Sequence, residues 1–436
     1  MTAHTTRVEL FIGKGGVGKT TLACATAMSA ARSGLRVLVA SLDQAHSLGD
    51  ALGFRVPHDP GTVTGVQTVL PGLDVIEVDS LALLEDRFRD VVRMVSMGRG
   101  HDHGIDIAAL DPAELTGLPG VQELLMLVEI TQFAIADDWD LVVVDCPPSA
   151  DMLRIVTAPD TLLGYLERIW PPRARALEVI GTDLRRAVLA ATVERIVKAV
   201  TEVRDLLADH RRTGARLVTL AERVAVAESE RVRSATALLG LRLDTVVVNK
   251  VLPALSSPAD SVRAEHPAVH WYSNRRGEQT EVITELRRKM PGIPVVVAPH
   301  TGPEPIGLNS LTALSYAVDS TGNTGRPELM LGKNQAEVDA IPGAPVVHRE
   351  SGTGVQSVYA LRMHLPIVDT ATLRLGRVED DLIVGADGVR RRVRLAPVLR
   401  RCAVEGAELD DEHLVIRFRP DPRLWSRESE SDGHDR

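Results

Sequence analysis

The amino-acid sequence predicts a doubly wound, mainly parallel α/β domain with helical insertions, followed by a small all-β sandwich. Short apolar runs alternate with helical segments over residues 7–318, which is typical of βαβ units and a parallel sheet. A glycine-rich loop joins the first apolar run to the first helix. Beyond residue 355 the helical periodicity gives way to short alternating segments, and such alternation favours antiparallel strands.

The composition is that of an ordinary soluble protein. The chain has 436 residues, of which 44% are hydrophobic and 25% are charged, and this length accommodates one large α/β domain and a small second domain. The net charge of −9 argues against general affinity for nucleic acid or for an anionic membrane. Because only 3% of the residues are aromatic, platforms for base stacking are not expected either.

The cysteines and the apolar runs indicate the compartment. Cys24, Cys146 and Cys402 are widely spaced and no CxxC pair occurs, so we expect neither a disulfide framework nor a thiolate zinc site, including one at a dimer seam. No apolar run approaches about 18 residues, and residues 1–6 are polar, which predicts no membrane span and no secretory signal. A cytoplasmic localisation follows as the expectation.

The loop after the first strand carries the strongest functional signal. Residues 13–21 read G-K-G-G-V-G-K-T-T and match the P-loop spacing G-x-x-x-x-G-K-[ST]. In such a loop, backbone N–H groups point at one phosphate, Lys19 reaches the β- and γ-phosphates, and the Thr20 hydroxyl can ligate Mg²⁺. We therefore expect ATP or ADP and Mg²⁺ as ligands. The expected nucleotide-binding residues are Gly13, Lys14, Gly15, Gly16, Val17, Gly18, Lys19, Thr20 and Thr21.

A second lysine inside the loop, Lys14, points to a dimer. A cation at this position cannot easily bend back onto its own nucleotide, so it could reach the phosphates of another subunit. The pattern resembles the deviant P-loop of ATPases that form face-to-face dimers, such as chromosome-partitioning ATPases, nitrogenase iron protein, arsenite-pump ATPases and tail-anchored-protein targeting ATPases. This resemblance implies a homodimer in which Lys14 and Lys19 both take part in catalysis. A solvated lysine in a glycine-rich turn is the alternative for Lys14.

The segment after the second predicted strand narrows the resemblance. Residues 41–52 (SLDQAHSLGDAL) look like the first switch of the arsenite-pump and tail-anchored-protein targeting ATPases, with Leu42 and Gln44 in place of that family's Thr and Pro. Asp43 stands at the carboxyl end of the strand, where open α/β sheets bind ligands. We expect Asp43 to place the attacking water. The alternative is that it caps the helix beginning near Ser47.

Two later strands end in residues that complete the expected site. Residues 141–145 (LVVVD) have the form of a Walker B strand, which puts Asp145 beside the Mg²⁺ ion, where it would sense the γ-phosphate. Residues 146–154 resemble the second switch, although Ser-Ala-Asp stands where the family commonly has Thr-Gly-His. Residues 245–249 (TVVVN) end in Asn249, which in the resembling family reads adenine through its amide donor and acceptor. The alternative for Asn249 is a strand-end turn residue.

The predicted helical insertions do not identify the client protein. Residues 80–97 are predicted to form a helix with one apolar face. Residues 115–136 run apolar, and the corresponding region of the targeting ATPases forms a hydrophobic groove, although an apolar helix face is more often core. His101 and His103 could hold a metal, but histidines in a polar loop are more often solvated. The helical stretch at 177–210 mixes both charges and is interpreted as a solvated surface.

The end of the chain has a different character. Residues 1–320 are expected to form the ATPase domain, 321–354 a linker, 355–422 the sandwich, and 423–436 a disordered charged tail. The order of short strands is similar to the α-crystallin (small heat-shock) domain appended to some bacterial and plastid relatives of these ATPases. Arginines at 390–392 and 394 are balanced in the sequence by acidic residues between 387 and 412, so no basic patch is predicted.

Together these features predict a dimeric ATPase switch that binds or targets a client protein, including one with a hydrophobic segment. The first alternative is the catalytic subunit of an arsenite or other anion pump, which the scattered cysteines disfavour because As(III) prefers clustered thiolates. The second is a positioning protein that cycles on membrane or DNA. That function needs a basic patch or an amphipathic terminal helix, and neither end of the chain offers one.

Overall fold

The computed structural model describes residues 5–42, 47–54, 65–78, 83, 85, 89, 121–180, 184–255, 266–320, 345–366 and 370–425. The chain divides into two compact units. One consists of Met1–Val226 and Leu243–Asn334, and the other of Ala227–Arg242 and Gln335–Arg436. The first unit is α/β and the second is a β-sandwich with one long helical segment, so the predicted fold class is confirmed.

An eight-stranded sheet forms the centre of the first unit, in the order β3-β4-β2-β5-β1-β6-β7-β8. Its strands are β1 Arg7–Ile12, β2 Val37–Ser41, β3 Gln67–Leu70, β4 Leu73–Glu77, β5 Leu141–Asp145, β6 Thr213–Leu220, β7 Leu243–Val251 and β8 Val295–Pro299. All neighbours are parallel except β3 and β4. Since parallel strands end at one edge, the loops after β1, β2 and β5 meet there.

Nine helices are described between β1 and residue 320. They are α1 Lys19–Arg32, α2 Ser47–Leu52, α3 Val121–Ala136, α4 Ser149–Ile169, α5 Pro172–Ile180, α6 Leu184–Ala208, α7 Arg223–Leu239, α8 Pro267–Lys289 and α9 Leu308–Ser320. All but α7, most of which belongs to the second unit, lie in the first unit. The Ala- and Leu-rich α1 is buried along most of its length, and with α9 it packs on one face of the sheet. None of the helices described is both long and apolar enough to cross a membrane.

Strand β3 is not evident from the hydrophobicity of the sequence. Its four residues are half-buried or exposed, because β3 is an antiparallel edge strand that pairs only with β4. An edge strand needs no continuous apolar run, so hydrophobicity alone does not reveal it. The expected helix at 80–97, with His101 and His103, lies almost entirely outside the described residues, as does 115–120.

A buried ion pair crosses the middle of the sheet. Arg216 on β6 is fully buried, and its Nε donates to Glu9 Oε2 on β1 at 3.1 Å. Arg7 Nη2 donates to the other oxygen, Oε1, at 2.8 Å. The Arg216 guanidinium also lies 5.8 Å from the centroid of the Phe11 ring. Because Glu9 and Arg216 are both cut off from water, each depends on the other for its charge to be tolerated.

Two antiparallel sheets form the sandwich of the second unit, in the orders β14-β15-β10-β9 and β11-β12-β13. Their strands are β9 Val346–Ser351, β10 Val358–His364, β11 Arg374–Val378, β12 Asp381–Ala386, β13 Val389–Arg394, β14 Cys402–Asp410 and β15 His413–Pro420, with the short helices α10 Pro397–Arg400 and α11 Pro422–Trp425. Alternate residues of both sheets meet in one apolar core, which includes Leu361, Leu382, Ile416 and Phe418.

Two features differ from the expected division of the chain. Strand β9 lies within the expected linker, 321–354, where it pairs with β10; its mostly exposed side chains have little apolar alternation to detect. Residues Ala227–Arg242 belong to the sandwich unit although they lie within 1–320. The reason is packing, since Leu238 enters the sandwich core and Arg233 donates to both carboxylate oxygens of Glu412, at 2.7 and 2.6 Å.

We expect Glu9→Gln to lower the free energy of unfolding by about 3–5 kcal/mol, because Arg216 then keeps a buried charge without a carboxylate. Urea denaturation followed by circular dichroism measures the loss. The control is Arg7→Gln, since Arg7 pairs with the same Glu9 but is partly exposed, and its loss should be about 1 kcal/mol or less. Equal losses from the two variants would contradict the importance of the buried pair.

Candidate functional site

The backbone of the loop between β1 and α1 is shaped by its glycines. Gly13 and Gly18 have φ angles of 152° and 92°, values that side chains disfavour. A Cβ on Gly13 would lie 2.3 Å from the carbonyl oxygen of Val218, at the end of β6. A Cβ on Gly18 would lie 2.3 Å from the Asn249 Nδ2 atom, at the end of β7. The loop therefore rests directly on two neighbouring strands, and only glycine fits at these two contacts.

The two lysines of the loop lie differently. Lys19, the first residue of α1, is 7% exposed, and its Nζ donates to the Lys14 carbonyl oxygen at 3.1 Å. Its ammonium group is therefore held beneath the loop, at the N-terminus of a helix, where an anion is favoured. The Lys14 side chain is exposed on the outer turn of the loop. One lysine is thus directed inward and the other is accessible to solvent.

Three oxygen-bearing side chains meet where β1, β2 and β5 end. Thr20 Oγ1 donates to Asp145 Oδ2 at 2.5 Å, and Ser47 Oγ lies 3.1 Å from Thr20 Oγ1 and 3.4 Å from the same carboxylate oxygen. Asp145 is fully buried. Carboxylate and hydroxyl oxygens are the protein ligands and near neighbours that Mg²⁺ prefers. The donor set therefore fits Mg²⁺ held through Thr20, with Asp145 beside it.

Asn249 fastens the loop to the end of β7. Its Nδ2 donates to the Val17 carbonyl oxygen at 2.8 Å, and its Oδ1 accepts from the Lys250 N–H at 2.9 Å. Lys250 has a left-handed backbone, with φ of 57°, and its Nζ lies 3.5 Å from the Gly16 carbonyl oxygen. Asn249 therefore holds the loop in shape, whatever else it contacts. Its amide retains a second hydrogen and further acceptor capacity, so the expected contact with adenine stays a prediction.

Backbone hydrogen bonds connect the neighbouring loops to this site. The Ser149 N–H, at the start of α4, donates to the Gly13 carbonyl oxygen at 3.0 Å. The Leu42 N–H, at the end of β2, donates to the Asp145 carbonyl oxygen at 2.9 Å. Asp43 follows Leu42 directly in the sequence but lies outside the described residues. The segments that resemble the two switches are thus anchored beside the P-loop.

The loop opens onto a cleft with a volume of about 690 Å³. The P-loop, Ser47, Asn249 and Lys250 line one part of this cleft, and the segment from Pro299 to Ile306 lines another. Such a volume suits a nucleotide-sized ligand.

Two buried thiols lie within electrostatic range of Asp145. Burial raises the pKa of Cys24, and the Asp145 carboxylate raises it further. Burial likewise raises the pKa of Cys146 well above its ordinary value, again with a contribution from Asp145. Both groups are therefore neutral thiols at physiological pH, and neutral thiols are poor metal ligands. Among the residues described, no three His, Cys, Asp or Glu side chains are grouped as a metal site.

Most of the expected site residues come together in space. The P-loop and Asn249 line one cleft, and Asp145 lies buried behind Thr20, to which it is hydrogen-bonded. The Lys14 side chain is exposed.

Sequence reasoning did not select Ser47 or Lys250 as site residues. Ser47 lies within the segment that resembles the first switch, and a hydroxyl there was a usable signal. Lys250 follows Asn249 and has a left-handed backbone, which directs its side chain back to the loop. Because lysine rarely adopts this conformation, the sequence does not predict it.

Comparisons with known proteins agree with this geometry. Residues 6–319 match the family model described as anion-transporting ATPase, and residues 356–418 match the HSP20-like domain found in ArsA. A Mycobacterium tuberculosis protein named Rv2184c is 44% identical over 425 residues, which cover 96% of this chain and 97% of that protein. An Aquifex aeolicus relative, named provisionally as an arsenical pump-driving ATPase, is 25% identical and covers 94% of this chain and 99% of its own length. ATPase GET3 of Kluyveromyces lactis is 26% identical over 72% of this chain and 90% of that protein.

We expect Asn249→Ala to weaken the binding of both ATP and inorganic tripolyphosphate by about tenfold, because the Val17 carbonyl loses its buried donor and the loop relaxes. Isothermal titration with each ligand measures the two affinities. The control is Gln279→Ala, since Gln279 bonds to backbone on either side of this strand end without touching the P-loop, and it should change neither affinity. A loss confined to ATP would mean that Asn249 reads the base and does not hold the loop.

Proposed function

The chain belongs to the anion-transporting ATPase family, and on that premise we propose that it is a Mg²⁺-dependent dimeric switch acting on a client protein. ATP hydrolysis is the activity of its family. The observation that carries the proposal is the contact of Thr20, Ser47 and Asp145 directly beneath the P-loop. This arrangement joins the phosphate-binding loop to both segments that resemble switches, so a ligand at the loop can act on both.

The P-loop would hold the phosphates. Its backbone N–H groups and the N-terminus of α1 favour negative charge, and Lys19 supplies a buried ammonium that can leave the Lys14 carbonyl for a phosphate oxygen. Asn249 would keep the loop in this shape and offer its remaining donor and acceptor to adenine. Since these groups are already fixed by hydrogen bonds, little reorganisation is needed when the nucleotide enters.

The Thr20 hydroxyl would bind Mg²⁺, with Asp145 close enough to orient the water around the ion. When bound, Mg²⁺ neutralises charge on the β- and γ-phosphate oxygens. Thr20 would then turn its hydroxyl hydrogen away from the metal and keep donating to Asp145. Asp43 follows a residue bonded to Asp145, and we propose that its carboxylate positions the attacking water.

Lys14 would act in a homodimer. Its side chain is exposed on the outer turn of the loop while Lys19 is buried, which supports different roles for the two. A cation delivered across a two-fold axis would neutralise phosphate charge only when two nucleotide-loaded subunits meet. Hydrolysis would therefore depend on association of the subunits.

Exposed apolar side chains on the helical insertions support a client. Ile135, Tyr165, Ile169 and Leu177 are between 49% and 73% exposed, and they lie on α3, α4 and α5. Exposed apolar groups that recur on adjoining helices are typical of interaction surfaces. We propose a cytoplasmic protein whose client carries a hydrophobic segment, in keeping with the similarity to ATPase GET3.

Catalysis for an arsenite or other anion pump is the second candidate, and the name of the Aquifex relative favours it. As(III) needs soft thiolate ligands. The Cys24 and Cys146 thiols are buried with raised pKa, and Cys402 belongs to the other unit. These cysteines supply no accessible thiolate cluster, so the client-handling switch is the better supported function.

Lys19→Ala should lose nucleotide affinity, because phosphate charge then stays unpaired in the site. Lys14→Ala should bind nucleotide nearly normally but hydrolyse it on the order of 10³-fold more slowly, as expected for loss of a cation supplied in trans. The measurements are nucleotide affinity and turnover at several protein concentrations. Wild-type turnover per subunit should rise with concentration as dimers form, and Lys14→Ala should stay low throughout.

A charge-matched control for these lysines is Lys198→Ala, since Lys198 is an exposed residue of α6 that pairs with Glu202. It should leave affinity and turnover unchanged. Full turnover by Lys14→Ala would refute the role in trans and favour a solvated lysine in a glycine-rich turn.

Arsenite should leave the turnover of the wild-type enzyme unchanged, because the protonated, buried thiols of Cys24 and Cys146 cannot bind As(III) as a cluster. Turnover is compared with and without arsenite at saturating Mg-ATP. A rise with arsenite that Cys24→Ser or Cys146→Ser abolishes would establish the pump function instead.

A further inference from the structure

Lys250 has an unusual backbone conformation for a residue inside a strand. Its φ angle is 57°, in the left-handed region. Among the residues described, the other non-glycine residues with positive φ lie in turns, whereas Lys250 lies within β7. A lysine in this region is strained, because its Cβ atom crowds the backbone. Contacts outside the regular sheet pattern must therefore hold Lys250 in this conformation.

Three hydrogen bonds hold the strand at this point. The Lys250 N–H donates to Asn249 Oδ1 at 2.9 Å, and Gln279 Nε2, from α8, donates to the Lys250 carbonyl oxygen at 3.3 Å. Gln279 Oε1 accepts from the Leu252 N–H at 2.9 Å. The register with β8 shifts at the same place, as it does at a β-bulge, and bulges redirect side chains. The end of β7 is thus built to turn the Lys250 side chain out of its regular position.

The redirected side chain reaches the P-loop. Lys250 Nζ lies 3.5 Å from the Gly16 carbonyl oxygen, and Asn249 Nδ2 donates to the next carbonyl oxygen, that of Val17, at 2.8 Å. Two adjacent side chains of β7 therefore extend to two adjacent carbonyls of the loop. Asn249 is buried, whereas Lys250 is exposed and lines the cleft. The four-carbon stem of Lys250 thus runs from the strand end to the loop along the wall of the cleft.

The ammonium group of Lys250 lies on the carbonyl side of the loop. In a planar trans peptide, the carbonyl and the N–H point in opposite directions. Since a P-loop directs its N–H groups at phosphate, the Gly16 carbonyl points away from the phosphates. Lys19 also donates to a loop carbonyl, but from a buried position at the N-terminus of α1, where phosphate is favoured. The two lysines therefore serve different parts of the cleft.

We propose that Lys250 is a base-binding residue, whose stem forms the surface on which the base of the bound nucleotide lies. A lysine stem covers apolar surface while its charged end stays in water, and a cation near the face of a flat ring adds an attraction. The contact with Gly16, at 3.5 Å, is longer than a usual N–H···O bond, so it does not offset the strained backbone. Strain of this kind is typical of residues kept for a ligand.

This role of Lys250 rests on the proposed function, since it needs a nucleotide at the P-loop. Two other roles lead to different results. If the ammonium group bound a phosphate of its own subunit, tripolyphosphate, which has no base, would depend on Lys250 as strongly as ATP does. If it acted across the dimer, as proposed for Lys14, its loss would lower turnover and leave ATP affinity unchanged.

The test compares ATP with inorganic tripolyphosphate by isothermal titration in the presence of Mg²⁺. Lys250→Ala should weaken ATP binding about tenfold and leave tripolyphosphate binding unchanged, because only the base loses its support. Lys250→Met keeps an apolar stem and should lose about threefold or less. In steady-state kinetics, Lys250→Ala should raise KM about tenfold at an unchanged kcat. The matched control is Lys198→Ala, an exposed lysine of α6, which should behave as wild type.

Lys250→Gly separates a role in binding from a role in the fold. Glycine adopts a φ of 57° without strain, so the thermal midpoint should be no lower than that of wild type, while ATP affinity falls as in Lys250→Ala. The base-binding role is overturned if these variants bind ATP as wild type does, or if they lose tripolyphosphate affinity to the same extent. It is also overturned if kcat falls while KM is unchanged. A wild type that binds neither ligand would refute the proposed function, and the role of Lys250 with it.

Discussion

The conformation of the P-loop is the constraint on which the rest of the first unit depends. The loop has no regular hydrogen-bond pattern of its own, so its carbonyl groups need partners supplied from outside. Ser149 supplies an N–H to Gly13, and Asn249 supplies an amide to Val17. Ser149 comes shortly after β5 and Asn249 lies on β7, and these two strands are on opposite sides of β1 in the sheet. The order of the strands is therefore what brings both donors to the loop, and the glycines are what let the loop approach them closely.

The same arrangement explains how an event at the phosphates can reach other parts of the unit. Asp145 bonds through its side chain to Thr20 and through its backbone carbonyl to the N–H of Leu42. A change in the partners of Thr20 therefore acts on a residue that also holds the end of β2. Because Asp145 is fully buried, water cannot replace a partner that moves away, and the cost of losing a hydrogen bond there is high. Its burial therefore suits Asp145 to transmit a change at Thr20 to the end of β2.

The sequence was most informative where a motif requires particular residue types at a fixed spacing for a single physical reason. The P-loop glycines and the apolar parallel strands belong to this class, and the fold class followed from them. It was least informative where one side chain can make more than one kind of contact. The Asn249 amide was interpreted through its ability to pair with adenine, but its contact with Val17 depends on the tertiary approach of β7 to the loop. Strand β9 and the docking of Leu238 in the sandwich depend on tertiary packing in the same way.

Charge counted along the sequence does not show which residues pair, for a related reason. A count along residues 387–412 finds acids near the arginines of β13, and in sequence they balance. In an antiparallel sandwich, however, neighbours in sequence are often divided between two sheets. Residues of β13 and β14 are separated by α10 and join different sheets. The acids of β14 pair with arginines of β15 across one ladder, while Asp381 of β12 pairs with Arg392 of β13 in the other sheet. Electrostatic complementarity acts over a few ångströms in space, so the topology, and not the composition, decides which charges pair.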